Sequence, residues 1–104
     1  MGKGEKRALR SHLAVLMAHL LKWQHQPALR STSWKRTVKA ERKELLFSLQ
    51  EMPSLRGLLE SPEWIDLVWA RALSLAARET GLDCFPDACP WDMDEQVLGE
   101  WWPE

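Results

Sequence analysis

Apolar residues recur every three or four positions in the first quarter of the chain, which is the spacing typical of an α-helix. They form one stripe at about 100° per residue, and its members are Leu9, Leu13, Leu16, Leu20 and Trp23. Pro27 has no amide hydrogen and disfavours helical backbone at the residue before it. We therefore predict a first helix from about Glu5 to His25. Apolar residues beside the stripe indicate that this helix needs more than one neighbour.

A second helix is predicted after a turn rich in hydroxyl groups. A serine or threonine at positions 31–33 can accept a hydrogen bond from the first free amides, and the helix should run from about Ser33 to Glu51. Glu41, on the apolar flank, is expected to reach a basic neighbour. The apolar face is expected to hold Trp34, Val38, Leu45, Leu49 and Met52. Another face is strongly basic and is expected to hold Lys35, Lys39 and Arg42, with Arg36 and Lys43 beside them.

The third long helix has clear start and end signals. Ser61 supplies a capping hydroxyl, Pro62 fits the first turn, and an acid follows near the positive end of the helix dipole. This helix is predicted to end at about Thr80, with Gly81 as a left-handed terminator. Between the second and third helices, Ser54 is expected to cap a short helical turn.

Residues 83–104 form a Trp- and Pro-rich tail that we expect to wrap around the helices, because its prolines favour extended backbone. Asp92 and Glu95 have capping-box spacing, which predicts a short helix over Met93 to Leu98. The predicted architecture is all-α: a small helical bundle of three long helices plus short helices, in one domain over residues 1–104.

Several short motifs occur together along nearly the whole chain: HLLKWQHQP followed by SW, LRGLLE, ETGL, FPDACPW, EQVL and a terminal WP. As a set they resemble the Domain of Unknown Function 29 family of bacterial proteins. The resemblance implies an all-helical fold and supplies no activity, substrate or catalytic residue. Family members usually carry a further helical segment before the position that matches Met1, and we expect this chain to lack it.

Without that segment, one side of the first helix is expected to lack a cover from its own chain. A large apolar patch in water favours association. We therefore expect a second copy of the chain, or another protein, to cover this side. The prediction is a homodimer that associates through Leu13, Met17 and Leu21.

Charge is divided unevenly between the two halves of the chain. Residues 1–59 hold twelve Lys or Arg against four Asp or Glu, giving +8, whereas residues 60–104 hold two against eleven, giving −9. One interpretation is that the halves pack together with their charges paired or solvated. The other is that the basic half offers a surface to an anionic partner.

No sequence motif indicates catalysis or metal binding. The five glycines form no phosphate-binding loop, and neither a nucleophile elbow nor a His-Glu metal helix is found. His12 and His19 lie about two turns apart, too far to share a metal, and Cys84 and Cys89 would need a histidine from the first helix to bind zinc. We expect a protein without enzymatic activity, metal or cofactor, in which one or both cysteines are buried.

Two cysteines do not make a secreted disulfide scaffold, and neither a signal peptide nor a membrane-spanning segment fits the sequence. We therefore expect a cytoplasmic protein that does not associate with membranes.

Two binding functions remain open. The first is a small protein-interaction module, such as a regulator or inhibitor, because seven tryptophans are many for 104 residues and tryptophan concentrates in cores and partner surfaces. The alternative is sequence-independent nucleic-acid binding by the basic second helix, with Arg30 at its corner and Trp34 available for stacking. The acidic half disfavours this alternative. The candidate partner-binding residues are Trp34, Lys35, Arg36, Lys39, Arg42 and Lys43.

Overall fold

Three long helices make up most of the structure, a computed structural model that describes residues 3–104. Helix α1 spans Lys3–His25, α2 spans Thr32–Glu51, and α4 spans Pro62–Thr80, with the short α3 at Arg56–Leu59. Single 3-10 turns occupy Pro27–Leu29 and Pro53–Leu55. The described part of the chain contains no strand, and the predicted all-α fold is confirmed.

The ends of the long helices follow the sequence signals closely. The Ser31 hydroxyl accepts a hydrogen bond from the Trp34 amide at 3.2 Å, and Ser61 accepts one from the Trp64 amide at 3.3 Å. Gly81 ends α4 with φ of 75°, a left-handed conformation that glycine adopts without steric cost. Side-chain caps and a terminal glycine therefore set these boundaries.

The two short segments differ from the predictions. The 3-10 turn before α3 has no side-chain cap, so the predicted capping role of Ser54 is wrong. Near the C terminus, Met93–Val97 forms a π-helix, with the Asp92 carboxylate accepting from the Glu95 amide at 2.8 Å. The Asp92 amide donates to Gln96 Oε1 at 2.7 Å, not to Glu95. In a capping box the side chain three positions later accepts from the Asp92 amide, but a π turn is wider than an α turn. The accepting side chain here is therefore that of Gln96, one position later.

Helix α1 packs against both α2 and α4, which scarcely touch each other. Leu13, Met17 and Leu21 are each 0% exposed inside this arrangement. The prediction that these three residues form an uncovered side is therefore wrong, and they cannot be the contact of a homodimer. Two flanking helices cover the apolar circumference of α1, and the core they share also includes Val38, Leu45 and Leu49 of α2 and Val68, Trp69 and Ala72 of α4.

The tail (residues 83–104) lies along the helices and contributes to the core. Trp91 and Val97 are buried, and the Trp91 ring meets Trp69 edge-on with 5.4 Å between centroids. The Trp69 indole N–H donates to the Pro86 carbonyl at 3.0 Å, which satisfies the one polar group of a buried ring. In the part of the chain described here, no helix is both long and apolar enough to span a bilayer.

Candidate protein-interaction surface

One side of α2 faces solvent and combines positive charge with apolar side chains. We call this surface the outer face of α2, and it is formed by Lys35, Arg36, Lys39, Lys43, Leu46 and Phe47, all exposed. Within residues 3–104, none of its four cations takes part in an ion pair. The outer face therefore presents charge that the chain itself does not neutralise.

Leu46 and Phe47 are the apolar members of this surface, with 44% and 59% of their areas exposed. The sequence reasoning did not single them out. A signal was present, because at 100° per residue they lie about 100° and 200° from the buried Leu45. Both therefore fall outside the apolar stripe of α2, where a large apolar side chain has no core to enter.

A groove of about 490 Å³ runs beside the outer face, between α2 and the tail. One wall carries the two cations Lys39 and Lys43 together with Leu46, and the other is formed by Leu98, Gly99 and Glu100. On the opposite flank of α2 a second groove, of about 230 Å³, includes Glu44, Phe47 and Glu51. Lys39 and Lys43 thus line one groove, whereas Glu44 and Glu51 line the other.

Arg42 does not belong to the exposed basic face, and its predicted place there is wrong. Only 8% of the residue is exposed. Its Nε donates to the Val97 carbonyl at 2.8 Å, and its Nη2 donates to the carbonyls of Trp101 at 2.6 Å and Gln96 at 3.1 Å. Burial lowers the pKa of Arg42, and the Glu100 carboxylate partly offsets this effect. Arg42 therefore fastens the tail to α2.

Trp34 is also not free for stacking. It is half-buried, and Lys22 Nζ lies 4.9 Å from its ring centroid, a cation–π distance. The same ammonium donates to Glu79 Oε1 at 2.6 Å, although Lys22 is only 7% exposed. The pKa of Glu79 is lowered, chiefly by this hydrogen bond. One face of Trp34 is thus occupied by a lysine of its own chain.

One protein family matches almost the full length of the chain. A family model described as "Domain of unknown function DUF29" matches residues 1–102. The chain belongs to the DUF29 family. No curated protein and no solved structure matches it.

Arg30 of this DUF29 protein is engaged at the corner between α1 and α2. Its Nε donates to the Trp23 carbonyl at 2.8 Å, and its guanidinium lies 4.9 Å from the centroid of the Trp23 ring. Nη2 donates to the Glu104 carbonyl at 3.0 Å, so Arg30 joins the corner to the tail. The centroids of the Trp23 and Trp102 rings are 4.5 Å apart at this corner. Arg30 is therefore a structural residue of the corner.

The basic and acidic halves of this DUF29 protein pair with each other at a few points. Besides the Lys22–Glu79 contact, Arg56 Nη1 lies 3.1 Å from Asp94 Oδ1, in a pair exposed to solvent.

Glu41 reaches a basic neighbour as predicted, because the Nδ1 atom of His12 lies 2.6 Å from its Oε1. Among residues 3–104, none of these contacts includes a cation of the outer face.

The remaining histidines and the cysteines make separate local contacts. The His19 Nδ1–H donates to the Val15 carbonyl at 2.9 Å, and burial lowers the pKa of His19. Cys84 is exposed, with its Sγ 3.6 Å from His25 Nδ1, so it is not a buried apolar residue. Cys89 is half-buried, and burial raises the pKa of its thiol.

Among the described residues of this DUF29 protein, no cluster of three or more His, Cys, Asp or Glu could hold a metal ion. That the protein carries no metal stays a prediction, which elemental analysis of the pure protein tests. Stoichiometric zinc that disappears on Cys84→Ser or Cys89→Ser would contradict it.

Proposed function

We propose that this DUF29 protein is a small non-catalytic protein-interaction module, of the regulator or inhibitor kind, that contacts its partner through the outer face of α2. The observation that supports the proposal is the pair Leu46 and Phe47, 44% and 59% exposed beside cations without partners in the described chain. Scattered apolar residues are normal on protein surfaces, but two adjacent large ones rimmed by charge resemble an interface.

The outer face is preformed, which favours binding. The inner side of α2 is anchored by Val38, Leu45 and Leu49, each at most 3% exposed, and by the three hydrogen bonds of Arg42 to the tail. A partner therefore does not need to order α2, and the entropy cost of association is correspondingly lower. Aromatic residues such as Phe47 contribute large contact areas at interfaces.

The test compares tagged wild-type protein with a Leu46→Asp/Phe47→Asp variant, using cross-linking in cells of the native host and mass spectrometry. We expect a specific cross-linked protein that the double variant loses. Leu29→Asp is the matched control, because Leu29 is 58% exposed and lies in the corner outside this surface. If all three proteins give the same cross-linked products, the outer face is not the binding surface.

Nucleic-acid binding is the second candidate, favoured by the four exposed and unpaired cations of the outer face. The geometry supports it less well, because Arg42 and Trp34 are both engaged within the chain. Binding of this kind would depend on phosphate contacts and would weaken steeply with salt. Fluorescence anisotropy with duplex DNA tests it, using Lys39→Glu/Lys43→Glu. Affinity that survives high salt or ignores this variant would contradict the assignment.

A further inference from the structure

We infer that the partner of the outer face of α2 is a second copy of this chain, which presents the acidic end of α4. This inference rests on the proposed function and names its partner. The surface concerned, which we call the acidic face of α4, consists of Glu63, Asp66, Leu67 and Ala70, all exposed. Contact between the two faces joins the basic half of one copy to the acidic half of the other.

The acidic face resembles the outer face of α2 with the charge reversed. Leu67 is 52% exposed, and Glu63 lies four positions before it and three before Asp66, so that the Glu63 side chain neighbours both. Within the described residues, neither acid forms an ion pair. Each helix therefore displays an exposed leucine that is preceded by exposed cations on α2 and by exposed acids on α4.

The order of charges along the two helices is also complementary. On α2 the four cations of the outer face precede Glu44 and Glu51, whereas on α4 Glu63 and Asp66 precede Arg71 and Arg78, and all of these residues are exposed. The helices have nearly equal lengths of 20 and 19 residues. When they lie side by side in the same direction, the cations of α2 face Glu63 and Asp66 of α4, and in the reverse direction they face Arg71 and Arg78, which carry like charge.

The two faces cannot satisfy each other within one chain. Helix α1 lies between α2 and α4, and both faces point to solvent. Charges elsewhere do pair across the halves, as Lys22 with Glu79 and Arg56 with Asp94. The charges of the two outward helix faces are separated by α1, so a separate molecule is needed to bring these two faces together.

The contact joins unlike faces, so it is of the head-to-tail type. A single pair of helices buries less area than a standard stable interface, and exposed charges are screened by salt. We therefore expect association that is weak, increases with protein concentration and decreases with ionic strength. The chain mass of 12.1 kDa gives the monomer reference.

Sedimentation equilibrium at low ionic strength, over a concentration series, tests the inference. The wild-type average mass should rise above that of the monomer. Lys39→Glu/Lys43→Glu and Glu63→Lys/Asp66→Lys should each weaken association by about tenfold or more, because like charges then face each other. An equimolar mixture of the two variants should associate again, since each restores the complement of the other. Lys6→Glu and Asp87→Lys, exposed residues outside both faces, are the matched controls.

Leu67→Ser is a second variant that leaves every charge in place, and it should also weaken association. Circular dichroism of each variant establishes that it remains helical. A wild-type protein that stays monomeric across the series, or a mixture of charge variants that does not associate, would overturn the inference. The proposed function is tested separately: if cross-linking still finds a partner that Leu46→Asp/Phe47→Asp loses, the interaction surface stands and only the identity of its partner is wrong.

Discussion

The inner and outer faces of α2 carry the same sign of charge in opposite environments. Arg42 is 8% exposed and donates to three carbonyls of the tail, whereas Lys39 and Lys43, within one turn of it, are exposed and unpaired in the described chain. A guanidinium can donate in several fixed directions, which matches a set of carbonyls that an ammonium could not serve equally well. A cation of α2 is therefore structural when it reaches acceptors within the chain, and it remains free to bind another molecule when it does not.

The largest effect is expected when the inner cation is removed. Arg42→Ala leaves the carbonyls of Val97, Gln96 and Trp101 without their donor, and we expect a loss of about 2–4 kcal/mol in the free energy of unfolding. Arg36→Ala is the matched control, because Arg36 is exposed on the same helix; its effect should stay within about 0.5 kcal/mol. Urea unfolding followed by circular dichroism measures both. Equal effects would mean that Arg42 does not hold the tail.

A second substitution tests the backbone conformation of the tail rather than its hydrogen bonds with Arg42. At Gly99 a Cβ atom would lie 2.5 Å from the Glu95 carbonyl oxygen, so Gly99→Ala forces the backbone to shift. We expect a destabilisation of about 1–3 kcal/mol, the range for overpacked sites. Gly57→Ala is the control, because nothing lies within 4 Å of its Cβ and alanine favours the helix. A neutral Gly99→Ala, by the same urea assay, would show that the tail tolerates a different course.

The smallest effect concerns Lys22, a buried cation whose partner is half exposed. The hydrogen bond from Lys22 lowers the pKa of Glu79 below its ordinary value of 4.5, so its stabilising contribution is present above that pH and is lost as pH falls further. Because the Glu79 side chain is 48% exposed, we expect Glu79→Gln to cost only about 0.5–1 kcal/mol at neutral pH.

Measured by urea unfolding at several pH values, the difference between wild type and Glu79→Gln should narrow as pH falls below 4.5, the ordinary pKa of a glutamate. The more exposed Arg56–Asp94 pair supplies the control, because Asp94→Asn should have a smaller effect at neutral pH. A difference between wild type and Glu79→Gln that grows on acidification would contradict the sign assigned to the pKa of Glu79.

Much of the fold could be predicted from local signals. The start and end of α4 follow from a serine cap, a proline and a terminal glycine, which act within a few residues of where they stand. The π-helix could not be predicted in the same way, because an Asp92–Glu95 spacing reads as an ordinary capping box. The side chain that accepts from the Asp92 amide depends on the width of the turn. That width is determined by how the tail packs around the turn.

Arg42 could have been placed correctly from its position, although not from its residue type. It lies four positions after Val38 and three before Leu45, so it continues the buried stripe of α2. The charge suggested an exposed face, since arginine is rarely buried without partners. The partners are carbonyls 54–59 positions away in sequence, and such distant acceptors leave no trace in a local pattern.

The error about α1 has a different physical cause. The amount of apolar surface was read correctly, since Leu13 and Met17 are both fully buried. The error lay in the expectation that one side of α1 stays uncovered, because sequence does not reveal that α1 occupies the middle position with a helix on either side. The outer face of α2 and the acidic face of α4 are the surfaces that this central position leaves on the outside.

The distance between Arg42 and its acceptors also sets an order of events during synthesis. Trp101 follows Arg42 by 59 positions, and at a ribosomal rate of 5–20 residues per second it is made about 3–12 s later. Helix-coil relaxation takes about a microsecond or less, so local helix formation at α2 can precede its acceptors by millions of relaxation times. The nascent protein thus carries an additional unpaired cation on α2, which is withdrawn from solvent only when its acceptors in the tail have been made.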